Sequence, residues 1–302
     1  MPPDDAIVNE FSTWKIIHGP LEPFTTLLFP SNAEDLLTCL HSPPFDSERW
    51  AFRGQTRAEW GLRPGIERHA NMPQVAEQYI EREFKRRAHH YLRDLPDDRD
   101  DLEWLALMQH YGAPTRLLDW TNSAYIAAFF AAETASSSEP FAVWAIDRES
   151  MRSEAQVMLG LNDPDGDNDL GSRKNFRRLY RDVQPDGLYL TAPVQPYRMN
   201  ERLTIQQGLF LFPNNPLINF ETNLKSLLHY ANKRRSEQVK WLYKIVAPPE
   251  ARLGLLRVLK TLNISSTTLF PGLDGFARSF CADCEILSGR DWNGRCTPHK
   301  AE

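Results

Sequence analysis

Residues 108–121 read Met-Gln-His-Tyr-Gly-Ala-Pro-Thr-Arg-Leu-Leu-Asp-Trp-Thr, and an alanine- and phenylalanine-rich stretch over 122–133 follows without a break. The residues before Gly112 predict a helix over 101–111. It is acidic at its start and closed by glycine, as helix termini favour. Thr121 reads as the cap of the next helix. That helix is apolar nearly all round, with Ala124, Ile126, Ala127, Phe129 and Phe130, and so is expected to be buried.

Outward from this centre, residues 50–54 read as a strand ending at glycine, and 141–146 as a central strand. Further strands are expected at 187–191, 208–212 and 241–246. Residues 33–40 read as a short helix after a Ser-Asn signal. The spacing of Val75, Tyr79, Phe84, Ala88 and Tyr91 predicts a helix over 72–93. Pro248 and Pro249 open a helix reaching Thr261, since proline is tolerated in a first turn. A last helix is expected from about Gly272, with Leu273, Phe276 and Phe280 turned inward. Helices grouped between strands, without regular βαβ alternation, predict an α+β fold with a mixed central β-sheet and flanking helices.

Length and composition set the frame. The chain has 302 residues, 41% hydrophobic and 25% charged, an ordinary globular mixture that needs no covalent staples. One domain is expected: residues 1–47 as an extension packed on the core, 48–150 as a signature region, and 151–302 as the remainder completing sheet and helices. The 35 basic against 40 acidic residues argue against wholesale wrapping of nucleic acid. No run approaches the roughly 18 apolar residues of a membrane span. The opening Met-Pro-Pro-Asp-Asp is acidic where a signal peptide is basic, so a cytoplasmic location is expected.

Cys281, Cys284, Cys296 and His299 have a spacing that suits a tetrahedral zinc site, although reduced structural cysteines explain the same residues and are the reading preferred. Asp163, Asp165 and Asp167 resemble a calcium loop, but the glycine comes too early and no glutamate closes it. No metal is therefore expected.

Three segments are denser in special residues than a core requires. These are Phe52-Arg53-Gly54-Gln55 with Trp60 to Pro64, the stretch 108–121, and 202–210 (Arg-Leu-Thr-Ile-Gln-Gln-Gly-Leu-Phe). Arg53 at a strand end offers a planar, always-charged fork for a pyrophosphate or ribose. Gly54 allows close approach to the backbone. Tyr111 and Trp120 offer flat faces for a nicotinamide or adenine ring. Asp119 is the one acid of the second segment and the carboxylate nominated to stabilise a developing positive centre. Gln206 would orient ribose hydroxyls or the acceptor. Each has a structural alternative: an Arg53–Asp119 or Arg116–Asp119 ion pair, Tyr111 and Trp120 as core, His110 bonded to a carbonyl, Thr121 as a cap. The Lys85-Arg86-Arg87 and Lys233-Arg234-Arg235 runs read as solvated helix faces, with nucleic-acid contact as the alternative.

The first two segments resemble the signature blocks of the FRG domain, named for its Phe-Arg-Gly tripeptide and found mostly in bacterial and phage proteins. The third segment and residues 269–275 resemble blocks that often accompany it. A second similarity is to ADP-ribosyltransferases, where an aromatic-Arg-Gly ends a first strand and a later strand, here 115–121, runs into an alanine-rich helix. This similarity implies an ADP-ribosyltransferase-like architecture and NAD as substrate. Arg53, Asp119 and Gln206 would be catalytic, and Arg53, Gly54, Gln55, Tyr111, Thr115, Arg116, Trp120 and Thr121 would bind the dinucleotide. Gln206 or Gln207 stands where those enzymes carry a glutamate. The implied function is an NAD-dependent ADP-ribosyltransferase or NAD glycohydrolase, a toxin or antiviral defence effector with a protein or nucleic-acid acceptor and an antitoxin or defence-system partner. The alternative is a nucleotide-sensing or protein-binding module without turnover.

Overall fold

The computed structural model describes residues 20–161, 166–181, 189–236 and 238–288. Among the described residues the first half contains β1 (Thr25–Leu28), α1 (Ala33–His41), β2 (Trp50–Gln55), α2 (Gly65–His69), α3 (Pro73–Arg87), α4 (Asp101–His110), β3 (Leu118–Thr121), α5 (Ala124–Ala132) and β4 (Phe141–Asp147). There follow α6 (Arg148–Met158), α7 (Arg173–Arg181), β5 (Thr191–Val194), α8 (Glu201–Ile205), β6 (Gly208–Pro213), α9 (Phe220–Arg235), β7 (Leu242–Ala247), α10 (Ala251–Thr261), α11 (Ser266–Leu269) and α12 (Leu273–Ser288).

The strands form one mixed sheet in the order β1-β7-β4-β2-β3-β6-β5. The β1–β7 pair is parallel and the other five pairings are antiparallel. Alternation along the strands sends side chains to two cores. Ala51, Leu118, Trp120, Trp144 and Ile146 pack towards α4, α6, α7 and α9. Trp50, Phe52, Val143, Ala145 and Ile245 pack towards α1, α5 and α10. The result is an α+β architecture with a helical layer on each face of the sheet, as the grouping of elements predicts.

Local signals explain most element ends. Asn32 caps α1 by accepting from Asp35 N at 2.9 Å, and Gly112 follows α4 at φ +84°, a conformation glycine adopts without steric penalty. The cap of α5 is Ser123, whose side chain accepts from Ile126 N, and not Thr121. Thr121 instead ends β3, and its hydroxyl donates to the Gln206 carbonyl at 2.7 Å. The helix expected over 72–93 stops at Arg87 and tightens into a 3₁₀ turn, Ala88–His90. The edge strand β1 lies in a stretch where the sequence suggested no strand.

Two expectations need correction. Leu273, Phe276 and Phe280 do not turn inward; they are 77%, 48% and 50% exposed. Helix α12 is anchored through its polar face, by Arg278–Glu133, Asp283–Lys260 and Glu285–Arg252 pairs together with buried Ile286. The strand expected at 187–191 is found at β5, Thr191–Val194, and residues 187 and 188 lie outside the described residues. Cys296, His299, Asp163 and Asp165 lie outside them too. Cys281 and Cys284 are exposed free thiols, and no metal-holding group of three or more His, Cys, Asp or Glu occurs among the described residues. Cys39 is half-buried, and burial pushes its thiol up to about 11. No helix among the described residues is long and apolar enough to cross a membrane.

Candidate active site

Strands β2 and β3 share a single registered pair, Phe52↔Thr121. β2 stays registered with β4 over six residues and β3 with β6 over four. The two strands therefore fork beyond that pair, and a cleft of about 290 Å³ opens in the fork. It is lined from both layers: Gln109 and His110 come from α4, and Phe130 from α5. The third wall comes from α8 and β6, which supply Arg202, Gln206, Gly208 and Phe210.

Arg53 reaches across the fork. Its Nη1 donates to the Asp119 carbonyl oxygen at 2.6 Å. Burial lowers the proton affinity of the guanidinium, Asp119 opposes that, and Arg68 adds to the lowering; it remains charged at any working pH. The Asp119 carboxylate is exposed to the cleft and accepts from Gln109 Nε2 at 2.7 Å. Gln109 is itself fixed, because its Oε1 accepts from the fully buried Thr115 hydroxyl. Arg202 lies 4.6 Å over the Phe270 ring, with burial lowering its proton affinity and Asp119 raising it. His110 has its pKa lowered by burial first and by Arg202 second. Its imidazole is therefore neutral near pH 7.

Two buried donors, Arg53 Nε and Trp120 Nε1, have no acceptor among the described residues, and both residues line the cleft. Buried polar groups ordinarily have partners, so these two are orphaned donors in the wall of the cleft. With a carboxylate, two guanidiniums, a neutral imidazole and the rings of Phe52, Trp120, Phe130 and Phe210, the cleft suits a planar, anionic or sugar-bearing molecule. Its volume lies just below the roughly 300–1,000 Å³ typical of small-molecule sites.

Of the residues nominated from the sequence, Arg53, Gly54, Asp119, Trp120, Thr121 and Gln206 line this one cleft. Gln55, Tyr111, Thr115 and Arg116 do not. Gln55 is buried, donating to the Gly61 carbonyl at 2.9 Å and accepting from Trp144 Nε1 at 2.7 Å. Thr115 caps the turn that holds Gln109 and Leu117 N. Arg116 is buried against Glu77, beneath the rings of Tyr180 and Phe212. Tyr111 stands outside at 57% exposure. Gly54 lines the cleft, but its missing side chain serves α5: a Cβ there would lie 2.1 Å from Ala127 O and 2.4 Å from Ala131 N. Gln206 donates from Nε2 to the Leu269 carbonyl at 3.0 Å, so the 202–210 segment is tied to the end of α11. It ends α8 and precedes Gln207 at φ +48°, rather than lying on a strand.

Sequence reasoning overlooked Gln109 and Arg202 as site residues, although both stand in the segments it singled out. The signal was the density of polar residues there; what was missing was which of them face the fork.

Residues 48–139 match the FRG domain, which spans β2 to α5. No curated protein and no solved structure matches the chain. Of the described strands the matched stretch holds β2 and β3, while Arg202, Gln206 and Phe210 come from outside it. With Arg53, Gly54, Gln109, Asp119 and Trp120 all within the match, residues 48–139 are an FRG domain, and its Phe-Arg-Gly tripeptide forms one wall of the cleft.

Proposed function

We propose that the cleft binds the nicotinamide riboside half of NAD and that the protein is an NAD-dependent ADP-ribosyltransferase or NAD glycohydrolase. The observation that carries this reading is the surroundings of Asp119, the one carboxylate among the cleft-lining residues, with Arg53, Arg202 and Trp120 lining the same cleft. Cleaving the nicotinamide–ribose bond sends its electron pair to the departing nicotinamide and leaves positive charge at the anomeric carbon. A carboxylate beside that carbon stabilises the charge. An acceptor hydroxyl, of water or of a macromolecule, then bonds to the carbon and gives up its proton. Neutral His110 is able to take it. Arg53 and Arg202 would hold the pyrophosphate oxygens, and Trp120 Nε1 a ribose or amide oxygen.

One observation favours a second reading, binding without turnover. Gln206, which the sequence similarity puts in place of the transferases' glutamate, ends a helix, and its amide is already committed to the Leu269 carbonyl. The test is release of free nicotinamide from NAD by the folded protein, with and without cell lysate, beside Arg53→Ala. Release by wild type and not by the folded variant supports the enzyme. A rise in melting temperature with NAD but no release supports the binding module. Neither effect removes both.

A further inference from the structure

Outside the cleft, a second groove of about 580 Å³ runs between α3 and the turn that follows α4. Its floor is apolar, made by Ile80, Phe84 and Leu92, and three tyrosines stand around it. Tyr79 is 59%, Tyr91 84% and Tyr111 57% exposed. Gathered around one apolar floor, these rings form a contiguous exposed patch of the kind that marks an interaction site.

Arg87 and Glu83 line the groove, and Arg82 and Arg86 stand beside them on the same helix. Arg82, Arg86 and Arg87 are each about two-thirds exposed and share one counter-ion, Glu83, at 3.4, 3.1 and 2.9 Å. One carboxylate balances one of the three, and the remaining positive charge faces solvent. Arg82 also lies 5.8 Å over the Tyr79 ring, placing a cation beside a stacking face. Lys85 is engaged by Glu81 and Asp101 and adds little. On a chain of net charge -5, this is a local inversion of sign.

We infer that this groove binds single-stranded nucleic acid, its tyrosines stacking bases and its arginines meeting phosphates. Flat faces interleaved with guanidiniums are the physical requirements of a sequence-tolerant single-strand site, because every base has a π-face and every nucleotide a phosphate. The exposure of Tyr91 favours this occupant over an acidic peptide: the ring stands free as a platform instead of walling a pocket that would enclose a side chain. The groove also adjoins the cleft. His110 lines the cleft and Tyr111 the groove, with their rings 4.9 Å apart edge-to-face. A bound strand thus extends towards Asp119 as the acceptor, a consequence that rests on the proposed NAD chemistry; the binding itself does not.

The experiment is fluorescence anisotropy with the full chain and labelled 12-residue oligo-dT and oligo-U, alongside a blunt duplex and a phosphorylated, glutamate-rich peptide. We expect single strands to bind best, and affinity to fall roughly 30- to 100-fold for a tenfold rise in salt, the release expected for two to three phosphate contacts. Tyr91→Ala should weaken binding at least fivefold, and Arg86→Glu with Arg87→Glu should remove most of it. Absent binding, binding unchanged in these variants, or tighter binding of the peptide would overturn the inference. Nicotinamide release without acceptor, measured on the same variants, separates the two readings. Strand binding without any release leaves the groove and removes the NAD chemistry; release without strand binding does the reverse.

Discussion

Arg53 Nη1 and the backbone carbonyl of Asp119 lie 2.6 Å apart, and this one bond spans the fork where β2 leaves β3. The side chain replaces a ladder hydrogen bond that the diverging strands do not make. It anchors the carbonyl and leaves the Asp119 carboxylate turned to the cleft. The same guanidinium thus braces the fork and lines the cleft.

The roles can be separated at Asp119. In Asp119→Asn the backbone carbonyl still accepts from Arg53, and the amide oxygen can still accept from Gln109. Stability should change by less than about 0.5 kcal/mol. Nicotinamide release should fall about 100-fold or more. Urea melts and a nicotinamide assay on one preparation check both; unchanged release would discard Asp119 as the catalytic carboxylate.

Gly54 is a packing residue. Gly54→Ala drives a methyl onto Ala127 O and Ala131 N, both backbone atoms that cannot swing aside. Overpacking of this kind costs about 3 kcal/mol or more, read as a lower urea midpoint. A variant as stable as wild type would mean that α5 shifts freely, against the close contact described.

Arg116 is structural on the same logic. Arg116→Met strands Glu77, 2% exposed, without its cation and should lose about 3–5 kcal/mol. Arg116→Met with Glu77→Gln should recover part of that loss. If the single variant melts normally yet no longer releases nicotinamide, Arg116 returns to the site.

Lys244 gives the fold a pH dependence at alkaline pH. It is 1% exposed, its Nζ donates to the Trp60 carbonyl at 3.1 Å and lies 4.6 Å over the Trp144 ring. Burial pulls its pKa from 10.5 down to about 7, against the opposing pull of Glu221. Between pH 7 and 10.5 the unfolded chain therefore holds the proton and the folded chain does not. Stability contributed by this group rises with pH across that window. Lys244→Met should lack the rise, so the difference in urea midpoint between wild type and variant should shift in favour of wild type from pH 7 to 10. A difference independent of pH would show that Lys244 keeps its proton in the fold.

The sequence by itself determined the elements whose signals are local. The Asn32 cap, the strand through Phe52-Arg53-Gly54 (which runs one residue further, to Gln55), the glycine that stops α4, and the apolar helix at 124–132 all depend on neighbours within a few residues. It also singled out the three segments that build the cleft, because polar residues crowd there beyond the needs of a core. Only the tertiary structure decided which of those residues face one another. Arg116 turns to Glu77, 39 residues earlier in the chain, and Tyr111 leaves through the Gly112 turn to a different groove. Arg202 enters on α8, brought beside Asp119 by the β3–β6 pairing. Periodicity records which residues are apolar, but the direction of a polar side chain is settled by partners far away in sequence. Helix α12 makes the same point: its apolar positions look inward on paper, yet ion pairs to Glu133, Arg252 and Lys260 seat its other face on the body.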